Sequence, residues 1–236
     1  MYINNKRQIT GFIILLILLI LPSHIKAQES NLDNLVIFID AGHGGSDFGC
    51  FGYSETKEKD ITLNLTKRLE NLLKERTAAK ILLTRSVDKL LSTNNRASFA
   101  NNGQGDIFIS LHANASFDKK DEGLLIYYSG YDAMDTRVGS NDKDTLSWEL
   151  VQFPYIKESK RFAECIADEA RLANIWSSVA VKSLPLNILE YVAMPAVLIE
   201  AEFITSSHGE QRVLDKGVAQ KMSESFYRGI INYFKK

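Results

Sequence analysis

Cysteine and proline are both scarce: two Cys and four Pro in 236 residues. Two cysteines cannot build a disulfide scaffold. Four prolines with fourteen glycines exclude a collagen-like or proline-rich linker chain. Charge of one sign is also lacking, with a net charge of −1. Nucleic-acid binding usually shows a basic face, so no such partner is expected. No apolar run reaches the roughly 20 residues of a membrane-spanning helix. What is present is a 45% hydrophobic chain, enough for one sizeable core and too much for a disordered protein.

The longest apolar run, Phe12 to Leu21, follows Lys6 and Arg7 and is broken by Pro22 and Ser23. With the small residue Ala27 beyond it, residues 1–27 read as a secretory signal. These residues carry Lys6, Arg7 and Lys26 and no acid, so their removal takes the net charge to −4. Residues 28–236 then form one domain, expected to be monomeric and exported, with the periplasm favoured and secretion the alternative. Export permits a Cys50–Cys165 disulfide, but 115 residues of separation say nothing of geometry, and two unpaired thiols are the preferred reading.

Beyond residue 28, short apolar runs alternate with helical periodicities. Leu35–Ile39, Lys80–Thr84, Asp106–Leu111, Gly123–Tyr128, Leu186–Tyr191 and Ala196–Ile199 read as strands. Ile61, Leu65, Leu69, Leu72 and Leu73 recur at helical spacing, as do Phe162, Ile166 and Ala170. A short helix is expected over Ser92–Ala100, and a C-terminal one through Val218, Met222, Phe226, Ile230 and Phe234. The alternation predicts an α/β domain with a mostly parallel sheet and helices on both faces. Residues 129–160 are mostly polar and aperiodic and read as an inserted loop.

His43 and His112 each lie just past a predicted strand end, where open α/β sheets place their ligand sites. Neutral imidazole is the commonest metal ligand. Glu58, entering the first helix, adds a carboxylate, and two His with one Glu is a catalytic zinc set. Each residue also has an ordinary reading: a loop hydrogen-bonder for either His, a helix-dipole partner for Glu58. Glu200 ends the run Pro195-Ala-Val-Leu-Ile, where an unpaired carboxylate is costly, which suggests a general base poised by partial burial or a strand-end ion pair. Glu202, two residues on, is expected on the same side of an extended strand. His208, in Ser-Ser-His-Gly, reads as solvated or capping.

Several stretches taken together resemble the zinc-dependent N-acetylmuramoyl-L-alanine amidases with a type-3 catalytic domain. They are Ile39-Asp-Ala-Gly-His-Gly-Gly-Ser-Asp-Phe-Gly49, Glu58-Lys-Asp60, Arg96 through Asn101, Asp106 through Asn114 and Pro195 through Glu200. The resemblance implies a six-stranded sheet, one zinc ion on His43, Glu58 and His112, Glu200 as the catalytic carboxylate, and peptidoglycan as substrate. It makes Arg96, Asn114 and Glu202 candidates for shaping the site or binding substrate, with a structural ion pair the plainer role for Arg96. It leaves open an activator protein, self-inhibition by segment 129–160, or a substrate groove there. Glu202 and Ser206 depart from the family's usual Gly and Asn, and Cys50 from its usual small residue, which makes Cys50 a candidate stray metal ligand. Another exported zinc hydrolase of peptidoglycan, a deacetylase or carboxypeptidase, and a non-catalytic wall-binding regulator are the rival readings.

Overall fold

The structure is a computed structural model that describes residues 32–130 and 151–235. The secretory-signal reading and most of the inserted-loop reading fall outside these residues.

Strand β1 (Val36–Ala41) has Ile37, Phe38 and Ile39 fully buried. A strand with no polar face must be covered on both sides, which places it in the middle of a helix-sandwiched sheet. The sheet has six strands in the order β2–β1–β3–β6–β4–β5. The partners are β2 (Lys80–Leu83), β3 (Ile107–Asn114), β4 (Leu124–Tyr128), β5 (Val179–Ser183) and β6 (Ala196–Phe203). All neighbouring pairs are parallel except β4 with β6.

Side chains alternate across the sheet and divide the core in two. Ile37, Ile39, Ile107 and Ile109 point into the larger cluster. It is closed by α1 (Glu58–Arg76), α3 (Ile156–Ala173) and α6 (Lys216–Phe234). Phe38, Phe108 and Leu198 point the other way, toward α2 (Thr93–Asn102) and α4 (Asn187–Glu190). The α/β reading with helices on both faces therefore holds.

Two expectations are corrected. Leu186–Tyr191 is not a strand: Leu189 and Glu190 donate their backbone N–H groups to Leu186 O, and Tyr191 to Asn187 O, forming the single turn α4. Leu186, Leu189 and Val192 then share the smaller cluster. The missing strand is β5, which lies at the sheet edge and is only partly buried, so its sequence alternates weakly. His208 is exposed, in keeping with its solvated reading, and lies in the first turn of α5 (Ser207–Leu214), whose N-cap Ser206 accepts the Gly209 N–H at 2.8 Å. Its Nδ1 lies 2.9 Å from Glu122. Helix α3 starts at Ile156, after a single 3₁₀ turn (Phe153–Tyr155), so the end of the expected loop is helical.

Candidate active site

The three central strands β1, β3 and β6 run parallel, so their carboxyl ends share one edge of the sheet. His43 lies two residues beyond β1. His112 and Glu200 are register partners across β3 and β6. The Gly42 N–H donates to Leu111 O at 3.0 Å, continuing the β1–β3 ladder into the loop. Glu58 opens α1. Residues separated by 157 positions thus meet at one corner of the fold.

Glu58 is the hub. Its Oε1 lies 3.1 Å from His43 Nε2 and 2.9 Å from His112 Nδ1. The ligand atoms of His43, Glu58 and His112 all lie within 4.8 Å of one another, and among the described residues this is the group able to hold a metal ion. Backbone N–H groups fix the carboxylate: Ala113 donates to Oε1 at 3.1 Å and Cys50 to Oε2 at 2.9 Å. His43 turns its other nitrogen, Nδ1, to both oxygens of Asp47 at 2.9 Å. A carboxylate on the far nitrogen sets the tautomer and orientation of a metal-binding imidazole.

The backbone is shaped around these rings. His43 adopts φ 59°, a left-handed conformation that costs a non-glycine residue about 1–3 kcal/mol. The surroundings hold it there: Arg96 donates from Nη2 to His43 O and from Nη1 to Ala41 O, at 2.7 and 2.6 Å. Arg96 Nη1 also pairs with the buried Asp40 at 2.7 Å, and Thr84 and Ser110 complete that carboxylate's partners. Arg96 therefore orients the His43 loop through backbone carbonyls. At Gly42 a Cβ would lie 2.3 Å from His112 Cε1 and 2.4 Å from Nε2. Gly42→Ala must therefore push the imidazole aside, and the variant should remain folded but lose metal. Crystallography together with zinc analysis would check this, and an unmoved His112 would contradict it.

The charges are strongly coupled. Burial disfavours a charged His43, but hydrogen bonds and charge from Glu58 and Asp47 outweigh it and push its pKa up to about 9. Burial likewise opposes a charged His112, and its bond to Glu58 with the charge of Glu200 reverses the balance upward. Burial raises the Glu58 pKa, but the two imidazoles outweigh it and hold the carboxyl well below the usual carboxylate range. His43 is therefore protonated near neutrality in the metal-free protein, and the pKa of His112 moves in the same direction. A metal must displace the proton on a ligand nitrogen. Zinc binding at pH 7 should release at least the His43 proton and tighten as the pH rises toward 9. Calorimetry in buffers of different ionisation enthalpy measures this, and zinc binding without proton release would contradict it.

Glu200 is different. Burial pushes its carboxyl up to about 7, partly offset by His112. Its Oε2 is buried with no hydrogen-bond partner among the described residues. Such an oxygen beside three converging donor groups is able to accept a proton.

The remaining sequence candidates lie elsewhere. The Asn114 amide oxygen accepts the Ala115 N–H at 2.8 Å, ending β3 in a turn. Glu202 does not share the side of Glu200. Against β3, two steps from His112 to Asn114 match three from Glu200 to Phe203, a bulge that breaks the alternation. The Glu202 carboxylate instead accepts from Gly123 N–H at 2.6 Å and meets Arg212 at 3.2 Å. The Cys50 thiol donates to Ala113 O, and burial together with Glu58 and Glu200 pushes its pKa far up, so it offers no thiolate. Both cysteines are free. Sequence reading missed Arg85, buried two residues beyond β2, whose signal is a charged residue placed just past an apolar strand.

A parallel-sheet domain carrying a His–Glu–His cluster and a buried carboxylate at its strand ends defines a hydrolase with a candidate metal centre. The chain belongs to the N-acetylmuramoyl-L-alanine amidase family, whose profile matches residues 37–232. It is 26% identical to the N-acetylmuramoyl-L-alanine amidase AmiC of Escherichia coli, over 85% of this chain and 53% of that protein. It thus spans about half the length of that relative. With AmiA, also of Escherichia coli, it shares 27% identity over 89% of this chain and 79% of that protein. Its fold is that of the catalytic domain of the amidase CwlV from Bacillus (Paenibacillus) polymyxa: TM-score 0.69, 24% identity, 84% of this chain and 97% of that one. The CwlD amidase of Clostridioides difficile, solved in complex with the GerS lipoprotein, also scores 0.69 at 25% identity, over 85% of this chain and 98% of that one.

Proposed function

We propose that this protein hydrolyses the amide joining the lactyl group of N-acetylmuramic acid to L-alanine of the peptidoglycan stem peptide. The observation that supports this reading most is the register pairing of His112 with Glu200 beside Glu58 and His43. The donor set, two imidazoles and a carboxylate converging on one point, fits a zinc ion. Zinc held by His43, Glu58 and His112 supplies Lewis acidity toward the scissile carbonyl.

Everything else falls to the chain. Glu200 takes a proton from the attacking water on a carboxylate oxygen. It then returns that proton to the departing amine nitrogen of L-alanine. One group can do both because its pKa lies near neutrality. Asp47 keeps His43 in its ligating tautomer. The cleft beside the histidines, walled by Leu91, Leu186, Ile188 and Leu198 with Asn187, is where the substrate lies.

The apolar run ahead of Ala27 supports export to the cell envelope, where this substrate is found. The purified protein, incubated with peptidoglycan sacculi with and without a chelator, tests the reading by mass spectrometry of soluble products. Stem peptides with a free L-alanine amino terminus, lost on chelation, are expected. Release of acetate or D-alanine instead would place the activity with the deacetylase or carboxypeptidase alternative.

A further inference from the structure

Arg85 is 3% exposed, yet no carboxylate among the described residues lies within ion-pair distance of its guanidinium. Every hydrogen-bond acceptor it has is neutral. Nε donates to Ala41 O at 2.9 Å and Nη1 to Val87 O at 3.3 Å. Nη2 serves Gly42 O at 2.8 Å, Lys59 O at 2.9 Å and Thr62 Oγ1 at 3.0 Å. A buried cation with no directly paired carboxylate, only the more distant charges of Asp40, Asp88 and Asp60, is a poor source of stability, and a well-packed apolar side chain would be cheaper. Stability alone therefore does not account for it.

The acceptors do. Gly42 immediately precedes His43, and Lys59 immediately follows Glu58. One rigid fork thus spans the two backbone segments that carry these residues. Thr62 adds a second tie, donating from its hydroxyl to Gly42 O at 2.8 Å. The chain passes tightly over this fork: a Cβ at Gly44 would lie 3.1 Å from Arg85 Nε and 2.2 Å from Lys89 O. Arg96 grips the same loop but makes no hydrogen bond to α1.

We infer that Arg85 is a positioning residue that sets the separation of His43 from Glu58, and so the affinity of the site for its metal. This rests on the metal reading above. Ligand distances must match a metal within about 0.2 Å, so a slack link between the two segments weakens binding. Lysine keeps the charge but cannot reach both segments with one planar fork.

The test is zinc affinity of the purified full chain, measured by competition with a chromogenic chelator. Arg85→Lys should bind zinc about 10–100-fold more weakly, the range for residues that orient metal ligands. Ile166→Val, a core change on α3 remote from the site, should lower the melting temperature and leave zinc affinity unchanged. Zinc affinity of Arg85→Lys within twofold of the parent overturns the inference. Should Arg85→Lys fail to fold, Thr62→Val and Arg85→Gln replace it. A several-fold weaker affinity in Thr62→Val supports the link between the two segments, and zinc affinity of a folded Arg85→Gln within twofold of the parent overturns the inference. A parent chain that binds no zinc overturns the metal reading itself, a result distinct from parent binding with an unaffected Arg85→Lys.

Discussion

Glu200→Gln should cut kcat by about 10²–10⁴-fold, the range for losing a positioned general acid–base group, while zinc content stays at the parent level. The amide fills the same volume and cannot accept the proton. The pH profile makes the test sharper. A base works only when ionised, so parent activity should fall on the acid side of a midpoint at or below about 7, since a bound cation lowers the Glu200 pKa from its metal-free value. That acid limb should vanish from the residual activity of Glu200→Gln. Stability carries an independent sign. Glu200 has a folded-state pKa above its ordinary 4.5, so its stabilising contribution is complete below that value and is lost as pH rises through about 7. At pH 8 the metal-free Glu200→Gln variant should therefore melt above the metal-free parent. A variant that keeps full activity would remove Glu200 from the reaction.

The second large effect is expected from His112→Ala. Residues that merely orient ligands change metal affinity about 10–100-fold. Loss of a ligand itself should exceed the upper end of that range, so zinc should be absent after dialysis and activity undetectable. In the metal-free protein the Cys50 thiol donates to Ala113 O and is kept protonated by burial and two neighbouring carboxylates, so it is not a ready substitute ligand. Removing His112 also takes one proton donor from Glu58, so the metal-free variant should lose part of the His43–Glu58–His112 stabilisation. Elemental analysis decides the matter: one retained zinc per chain would exclude His112 from the site.

The candidate ligands and the candidate base are legible because each is announced locally. His43 and His112 follow apolar runs that could only be central strands, and Glu58 stands where a helix begins. Glu200 is a carboxylate that an otherwise apolar strand has no stabilising reason to carry. These are statements about one strand or one helix start, and hydrophobic period reports them directly. The core followed from the same signal, since Ile37, Phe38 and Ile39 must be covered on both faces.

Partners distant along the chain decided the rest. The unassigned segment Val179–Ser183 became β5 because an edge strand needs only one covered face, while Leu186–Tyr191, expected as a strand, turned into α4 as Leu186 and Leu189 found an apolar pocket under the sheet. Glu202 left the site because a bulge exists only between two paired strands, and neither strand alone announces it. Arg85 owes its place to carbonyls from β1 and α1, whose backbone groups look alike in any sequence. The sequence by itself determined which residues can do the chemistry, through patterning within single elements. Their spacing, their protonation and the fork that ties them arise only where elements meet, since hydrogen bonds and burial depend on what folds against each group.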